Sequence, residues 1–305
     1  MSHVEAPERH FNIDSPDPVD WTAPASRDDL GDARSISRKR RLTIEPGLLL
    51  ASIVLAIVLL WAIAPGLFTS YNPIEGIPRQ QLKPPSALHL LGTDSLGRDL
   101  YARLVYGAVH SLSGALAAVG IGLVVGTTLG LLAGSLGGWV ETIVMRIVDV
   151  LLSVPVLLLS LSIIILLGFG TINAAIAVGV TSIASFARLV RSEVVTVRRS
   201  DYVEAAFGSG GSFLKVLWRH ILPNSLTSVI AYTALQIGWA ILQLSTLGFL
   251  GYGAPPPTPE WGLLIAEGRN YVATAWWLTA APGIVVVVVV LSVNRISQVI
   301  GKGSR

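Results

Sequence analysis

The sequence has no cysteine and few charged residues, and each absence restricts what the protein can be. Without cysteine it forms no disulfide and offers neither a thiol nucleophile nor a cysteine-ligated metal site. Only 13% of its 305 residues are charged, whereas 52% are hydrophobic, a balance typical of integral membrane proteins. The net charge of +3 does not indicate nucleic-acid binding, because the basic residues lie in short segments beside apolar runs. Orientation in a membrane explains that distribution better.

Catalytic signatures are missing as well. No Gly-x-x-x-x-Gly-Lys-Ser/Thr loop occurs, because the glycines and the lysine between Gly208 and Lys215 have the wrong spacing to bind phosphate. The five histidines include no pair at metal-ligand spacing. Gly208-Ser209-Gly210 is too weak a signal for a serine hydrolase. We therefore predict a chain with no catalytic residue, no metal and no bound cofactor.

Six apolar segments are long enough to cross a bilayer, which takes roughly 20 residues in a helix. The run Val285–Val290 is β-branched, but a lone strand in lipid would leave its backbone unsatisfied, so we expect a helix there. The sequence thus predicts an all-α integral membrane protein with six transmembrane helices. The predicted spans are 47–67, 112–136, 144–167, 172–190, 225–248 and 276–296.

Composition divides the chain into three parts. Residues 1–41 are polar and poor in large apolar side chains, so we expect a disordered cytoplasmic tail, whose basic end Arg38–Arg41 marks the inner side. Residues 42–107 hold the first span and an external segment. Residues 108–300 form a core of five spans with a cytoplasmic loop at 191–223. With both termini inside, sixteen of the 22 lysines and arginines lie on the inner side and five outside, with Arg146 left uncounted at a membrane boundary, which agrees with the positive-inside rule.

The second span carries a small residue at every fourth position. Because residues i and i+4 share nearly one helix face, this series predicts a groove that another helix can approach closely. We interpret it as tight packing inside the bundle, and a sliding surface used during gating is the alternative. The series is Gly114, Ala118, Gly122, Gly126, Gly130, Gly134 and Gly138, of which Gly122, Gly126, Gly130 and Gly134 are the predicted helix-packing residues.

The cytoplasmic loop has the pattern of two short helices joined at a glycine. Asp201 can cap the first helix, with Glu204 three residues later as in a capping box. The pair Gly210-Gly211 can supply the left-handed turn that ends it. Ser212 can cap the second helix, and Pro223 is predicted to end that helix before the fifth span. Apolar side chains give the projection a surface that water does not favour: Phe207, Phe213, Leu214, Leu217 and Trp218.

This loop resembles the motif of permease subunits of ABC importers. Glu204-Ala205-Ala206 is followed after three residues by Gly210, and after nine more by His220-Ile221-Leu222-Pro223. The family usually has isoleucine where His220 stands, but its peptide-type members often have His-Ile-Leu-Pro. The resemblance implies a coupling helix that docks on a cytoplasmic ATPase. The residues it implies for that contact are Glu204, Ala205, Ala206, Gly210, Trp218, His220, Leu222 and Pro223.

Two further segments, His89–Asp99 and Phe249–Gly262, resemble the C-type permeases of oligopeptide and dipeptide importers. The resemblance extends over roughly residues 40–300. It implies the type I ABC importer permease fold, in the inner membrane of a bacterium, with both termini cytoplasmic. One departure is Leu244, where family members often have glutamate, so a role tied to that glutamate does not carry over.

The resemblance also implies partners. They are a second, different permease of the B type in a heterodimer, two ABC ATPase subunits or domains that hold ATP and magnesium, an extracytoplasmic solute-binding protein, and a peptide substrate. A permease for nickel chelates, glutathione or another small solute is the alternative. Outside this class, a membrane-embedded enzyme would need convergent polar residues at mid-membrane depth. A secondary transporter would need inverted repeats and intramembrane ion ligands, and the sequence has neither pattern.

Charged residues near the third span have two interpretations. Arg146 and Asp149 are three residues apart, so we expect them to pair along one helix face. A gate, or support for the cytoplasmic loop, is the alternative. Pro155 is predicted to kink the third span.

The external segments carry the remaining candidates. Polar residues before the second span are Thr93, Asp94, Arg98 and Asp99. We expect Thr93 or Asp94 to cap that span, although such groups could also meet the charged ends of a peptide. Residues 250–275 are predicted to form a partner-facing external loop stiffened by prolines. The predicted interfacial anchors are Trp261, Trp276 and Trp277.

Overall fold

The computed structural model of the protein describes residues 46–303, so the tail predicted at 1–41 and the cluster Arg38–Arg41 lie outside the described residues. Within 46–303 the chain forms helices and no β-strand, apart from one isolated bridge between Thr93 and Asp99. The all-α class is confirmed. The helices are α1 (Pro46–Ile63), α2 (Leu100–Leu136), α3 (Gly138–Ser153), α4 (Val156–Leu167), α5 (Thr171–Arg198), α6 (Asp201–Gly208), α7 (Phe213–Phe249), α8 (Trp261–Gly268) and α9 (Trp277–Gly303).

Five of these helices, α1, α2, α5, α7 and α9, are long and apolar enough to cross a membrane. α3 and α4 pass the same test only together, and they are bent by 96° at the break between them. Pro155 precedes the first residue of α4, and Val154 before it is extended with φ −87° and ψ 132°, as a residue before proline prefers. The predicted third span at 144–167 is therefore two helices, and the predicted kink at Pro155 is a sharp break.

α2 begins at Leu100, twelve residues earlier than the predicted start at 112. The side chain of Asp99 caps it, because a carboxylate oxygen accepts a hydrogen bond from the backbone N–H of Ala102 at 2.7 Å. The prediction that Thr93 or Asp94 caps this helix is therefore wrong. The first turns of α2 carry polar and basic side chains, so hydropathy alone places the helix start too late.

The small residues of α2 meet α5 along the most extensive helix pair of the described chain. Gly122, Gly126, Gly130 and Gly134 are all buried there. A Cβ added to Gly130 would lie 2.6 Å from the carbonyl oxygen of Ala187, so the two backbones are already in contact. Gly138 does not continue the series, because α2 ends at Leu136 and no group lies within 4 Å of a Cβ built at Gly138.

Buried charges hold the segment before α2 against α8. The Nε of Arg98 lies 2.6 Å from Asp94 Oδ2, and the Nη1 of Arg103 lies 2.8 Å from the same oxygen. Arg103 Nη1 is also 2.5 Å from the Oε2 of Glu267 on α8. Arg98, Asp94 and Arg103 are almost fully buried. Two of the charged residues considered for contact with peptide ends, Asp94 and Arg98, thus belong to an internal ion network.

Residues 250–275, predicted as an external loop, contain α8, which packs on α7 and α9. Trp261 is completely buried, and its indole N–H donates to the carbonyl oxygen of Leu104 at 3.0 Å. Trp277 is buried too. The interfacial-anchor prediction is therefore wrong for both. Trp276 is 61% exposed, so for that residue the prediction stands untested.

The carboxylate of Glu260 caps α8. One oxygen accepts from the N–H of Gly262 at 2.9 Å and the other from that of Leu263 at 3.1 Å. Burial raises the pKa of this carboxyl from 4.5 to about 7, while hydrogen bonds from Gly262, Leu263 and Ser111 act in the opposite direction. A buried carboxyl that titrates near neutral pH therefore lies at the start of α8.

Candidate functional site

The segment between α5 and α7 folds into a compact projection made of α6, a glycine turn and the first turns of α7. Ser200, not Asp201, stands at the N-cap of α6, and the hydroxyl of Ser200 donates to the carbonyl oxygen of Val197 at 2.5 Å instead of capping. The predicted capping box is therefore wrong. Asp201 and Glu204 both lie in the first turn, where carboxylates interact favourably with the helix dipole.

α6 ends in a Schellman motif. Gly210 has a φ of +83°, its N–H donates to the carbonyl of Phe207 at 2.9 Å, and the N–H of Gly211 donates to that of Ala206 at 3.1 Å. No group lies within 4 Å of a Cβ built at Gly210, so backbone conformation alone requires glycine there. At Gly211 space is the requirement, because a Cβ would lie 2.6 Å from the Ala206 carbonyl oxygen. The left-handed turn is where the sequence predicts it.

α7 starts after Ser212 and continues through Pro223 to Phe249, so the prediction that Pro223 ends a short second helix is wrong. The side chain of Ser212 makes no capping hydrogen bond. Residues Leu217–Ile221 form a wide π-helical turn in which the N–H of Leu222 bonds to the carbonyl of Leu217. Because proline has no N–H and its ring needs room beside the preceding turn, the wide turn lets the helix continue.

The projection has a buried face and an exposed face. Val203, Val216 and Ile221 are almost fully buried and belong to the main hydrophobic core. On the exposed side Trp218 is 63% and Leu214 64% exposed. All the large apolar side chains exposed on the projection are Tyr202, Phe207, Phe213, Leu214 and Trp218. Exposed apolar side chains gathered on one short element are typical of a protein–protein contact.

Polar contacts fix the base of the projection to α2 and α3. A guanidinium N–H of Arg198, at the end of α5, donates to the carbonyl oxygen of Ser135 in α2 at 2.8 Å. Arg191 forms an ion pair with Glu141 of α3. The end of α2, the start of α3 and the projection therefore lie at one end of the bundle.

Asp149 pairs with Arg188 of α5, with Nη2 and Oδ1 2.5 Å apart. The predicted pair between Arg146 and Asp149 along one face of α3 is therefore wrong. Because α5 packs against α3, it brings a guanidinium to Asp149 from a different helix, which sequence spacing cannot reveal.

The structure brings the predicted contact residues together on the projection but buries some of them in part. Glu204, Ala205, Gly210, Trp218 and Pro223 are exposed, whereas Ala206, His220 and Leu222 are half-buried. The buried supports Val203 and Val216 were not predicted. The available signal was the spacing of Val203 and Ala206, which are three residues apart and both turn toward the core. Among residues 46–303 no cluster of three or more histidines and carboxylates could hold a metal ion.

Comparison with known proteins gives consistent results. Residues 126–305 match the family described as binding-protein-dependent transport system inner membrane component. The chain is 40% identical to the dipeptide transport system permease protein DppC of Alkalihalophilus pseudofirmus, over 86% of this chain and 84% of that protein. It is 41% identical to the di/tripeptide transport system permease protein DppC of Pseudomonas aeruginosa, over 73% and 76%. It is 40% identical to the glutathione transport system permease protein GsiD of Pectobacterium atrosepticum, over 70% and 71%.

Solved structures support the fold alone. The chain superposes on a chain of the inward-facing MetNI methionine ABC transporter with a TM-score of 0.55 at 17% sequence identity, covering 67% of this chain and 96% of that one. The matched family range contains the whole projection and begins within α2, so α1 and the segment before α2 lie outside it.

Proposed function

The chain belongs to the binding-protein-dependent transport system inner membrane components, and we propose that it is the C-type permease of an ATP-driven peptide importer. In this proposal it forms half of a translocation path together with a different, B-type permease. A solute-binding protein delivers the peptide on the outer side, and two cytoplasmic ABC ATPase subunits or domains hold ATP and magnesium. This chain itself is non-catalytic and binds no cofactor.

The observation that carries the proposal is the projection between α5 and α7. It exposes five large apolar side chains at the end of a membrane bundle, and its other face is part of the hydrophobic core. An element that is rigidly packed on one side and apolar on the other is suited to hold a partner and to pass the partner's displacement to the helices behind it. The partner that fits the family is the ATPase.

The proposed cycle uses the projection as the coupling helix. ATP closes the ATPase pair, the docked projection moves with it, and the helix bundles rock from inward-open to outward-open. Val203 of α6 and Val216 in the first turn of α7 pass that movement to α5 and to the rest of α7, because both are buried in the main hydrophobic core. ATP shifts the population only if the two states differ in their interaction with the closed ATPase.

The peptide substrate is supported by what the relatives are named for, dipeptides in one and di/tripeptides in another. Glutathione is the second candidate, because one relative of similar identity is named for it. Uptake of a labelled dipeptide with unlabelled glutathione as competitor separates the two. Orientation follows the same proposal: both termini and the projection lie in the cytoplasm, and α8 lies outside.

The experiment that tests the proposal is co-purification of the tagged chain with the products of neighbouring genes, followed by peptide-stimulated ATP hydrolysis in lipid. Trp218→Ala should weaken assembly with the ATPase and reduce stimulated hydrolysis. The matched control is Trp276→Ala, which removes a tryptophan of nearly the same exposure, 61% against 63%, from a distant part of the chain. If the chain purifies alone and moves solute without ATP, the proposal is wrong.

A further inference from the structure

A cleft of about 710 Å³ opens beside α8, within the volume range of small-ligand pockets. Three separate segments form its walls: residues 70–74 after α1, the start of α2, and residues 258–259 before α8. Tyr106 and His110 lie one helical turn apart on α2 and face the cleft from one side. In the proposed orientation the cleft lies at the outer mouth of the bundle.

Several polar groups in this cleft have no partner in the described part of the chain. No residue of 46–303 forms a hydrogen bond with the hydroxyl of Tyr106, the imidazole of His110 or the hydroxyl of Thr258, and all three residues are half-buried. On the wall formed by residues 70–74, the hydroxyl of Tyr71 donates to the carbonyl oxygen of Leu88 at 3.1 Å, and the side-chain oxygen of Asn72 accepts from the N–H of Ile74 at 2.8 Å. Hydrogen-bonding groups left free in a concave site are what a ligand uses to fix its orientation.

The lining of the cleft is electrically neutral. It contains no aspartate, glutamate, lysine or arginine, and His110 is its one side chain of a type that ordinarily changes charge near neutral pH. The nearby carboxylate of Glu260 is buried and occupied in capping α8. Such a lining offers hydroxyls, an imidazole and aromatic faces, and it favours neither sign of charge. Peptide amide groups, which are neutral and both donate and accept, match it.

From this geometry we infer that the cleft binds the backbone of a short peptide on its way into the translocation path, without selecting its charged side chains. The inference rests on the proposed function and deepens it, because it assigns a substrate contact to this chain. Tyr106 and His110 would bind peptide amide groups from α2, and Thr258 from the segment before α8. A lining without charge suits a path that passes peptides of differing sequence.

The absence of cysteine makes a direct test possible, since Thr258→Cys introduces the only thiol of this chain. The measurement is the rate at which a small hydrophilic maleimide modifies that thiol in the assembled complex in lipid, with ATP hydrolysis arrested by vanadate. We expect peptide-loaded binding protein to slow modification about fivefold, the effect of a site that is about four-fifths occupied. Trp276→Cys, an exposed control, should be modified at the same rate with and without peptide.

The outcomes separate this inference from the proposed function. If peptide-free binding protein protects the thiol equally well, the cleft is a docking surface for that protein and the inference is overturned. It is also overturned if a complex that transports peptide shows no protection at all. A parent complex that assembles but moves no peptide refutes the proposed function instead.

A second measurement does not depend on thiol chemistry. The double variant Tyr106→Phe with His110→Leu removes two of the free polar groups and keeps most of the volume. Peptide uptake should fall about threefold to tenfold, in line with the loss of one or two hydrogen bonds. Tyr101→Phe makes the same chemical change on α2 at a residue that does not line the cleft, where the ring packs edge-to-face against Trp61 at 6.0 Å, and should leave uptake unchanged. Wild-type uptake by the double variant contradicts the inference.

Discussion

Replacing Gly210 by alanine should loosen the projection without changing any of its contacts. Gly210 has a φ of +83°, and no group lies within 4 Å of an added Cβ, so the whole effect comes from backbone conformation. Forcing alanine into the left-handed region costs about 1–2 kcal/mol. That cost corresponds to about a 5- to 30-fold larger population of the locally opened turn. Hydrogen–deuterium exchange of the Gly210 and Gly211 amides, which close the Schellman motif, should accelerate by the same factor.

Two further substitutions separate the effect of backbone conformation from the effect of the added methyl group. Gly210→Asn should exchange more slowly than Gly210→Ala, because asparagine tolerates the left-handed conformation better. Gly208→Ala places the same methyl group two residues earlier, inside α6, where φ is not positive and no group lies within 4 Å of the new Cβ. It should leave exchange unchanged or slow it. If ATPase coupling in the complex follows the exchange rates, the motif supports docking. Equal exchange in the alanine and asparagine variants would refute the conformational argument.

Three further predictions concern packing and charge elsewhere in the chain. Gly130→Ala should lower the melting temperature of the purified protein, because the added Cβ would lie 2.6 Å from the carbonyl oxygen of Ala187. Gly120→Ala is the control and should not lower it, because no group lies within 4 Å of the added Cβ. Equal melting temperatures for the two variants would contradict the packing of α2 on α5. Arg103→Met should destabilise the chain by about 3–5 kcal/mol in a denaturant titration, since it leaves the carboxylates of Asp94 and Glu267 to share the single guanidinium of Arg98. A change below about 1 kcal/mol would mean that the ion network relaxes. Burial raises the pKa of Glu260 in the folded state from 4.5 to about 7, so its contribution to stability is largest below about pH 4.5 and is lost as the pH rises to about 7. Glu260→Gln should flatten that part of the curve of stability against pH. An unchanged curve would contradict the assignment.

Hydropathy was sufficient to predict the helical class and nearly all the spans, because burial in lipid depends on the summed apolar character of a segment. Hydropathy could not predict the direction in which a helix continues after a break. The apolar run at 144–167 contains Pro155, which marked the position of the break, but the 96° angle depends on how α3 and α4 pack against α5. The helical start of α2 was missed for a related reason, since its first turns are polar and are stabilised by α8 and the ion network.

The projection was predictable where local chemistry decides and unpredictable where tertiary contacts decide. Gly210 has a local requirement, a positive φ, and the sequence predicted it correctly. Asp149 has two possible partners, one three residues away and one on α5, and only the fold selects Arg188. Trp261 was assigned to the membrane interface by its residue type, yet α8 folds back and buries it completely. The cleft beside α8 had no sequence signal, because its walls come from three distant segments.

The seam between α2 and α5 also determines where the molecule is stiff. Backbone meets backbone at Gly126 and Gly130, so no layer of side chains lies between the two helices that could be compressed or could change rotamer. We therefore expect α2 and α5 to move together as one rigid unit. The break at Val154-Pro155 has the opposite property, because no helical hydrogen bonds cross it continuously. We therefore expect a displacement of α5 to be accommodated by a change in the 96° angle between α3 and α4.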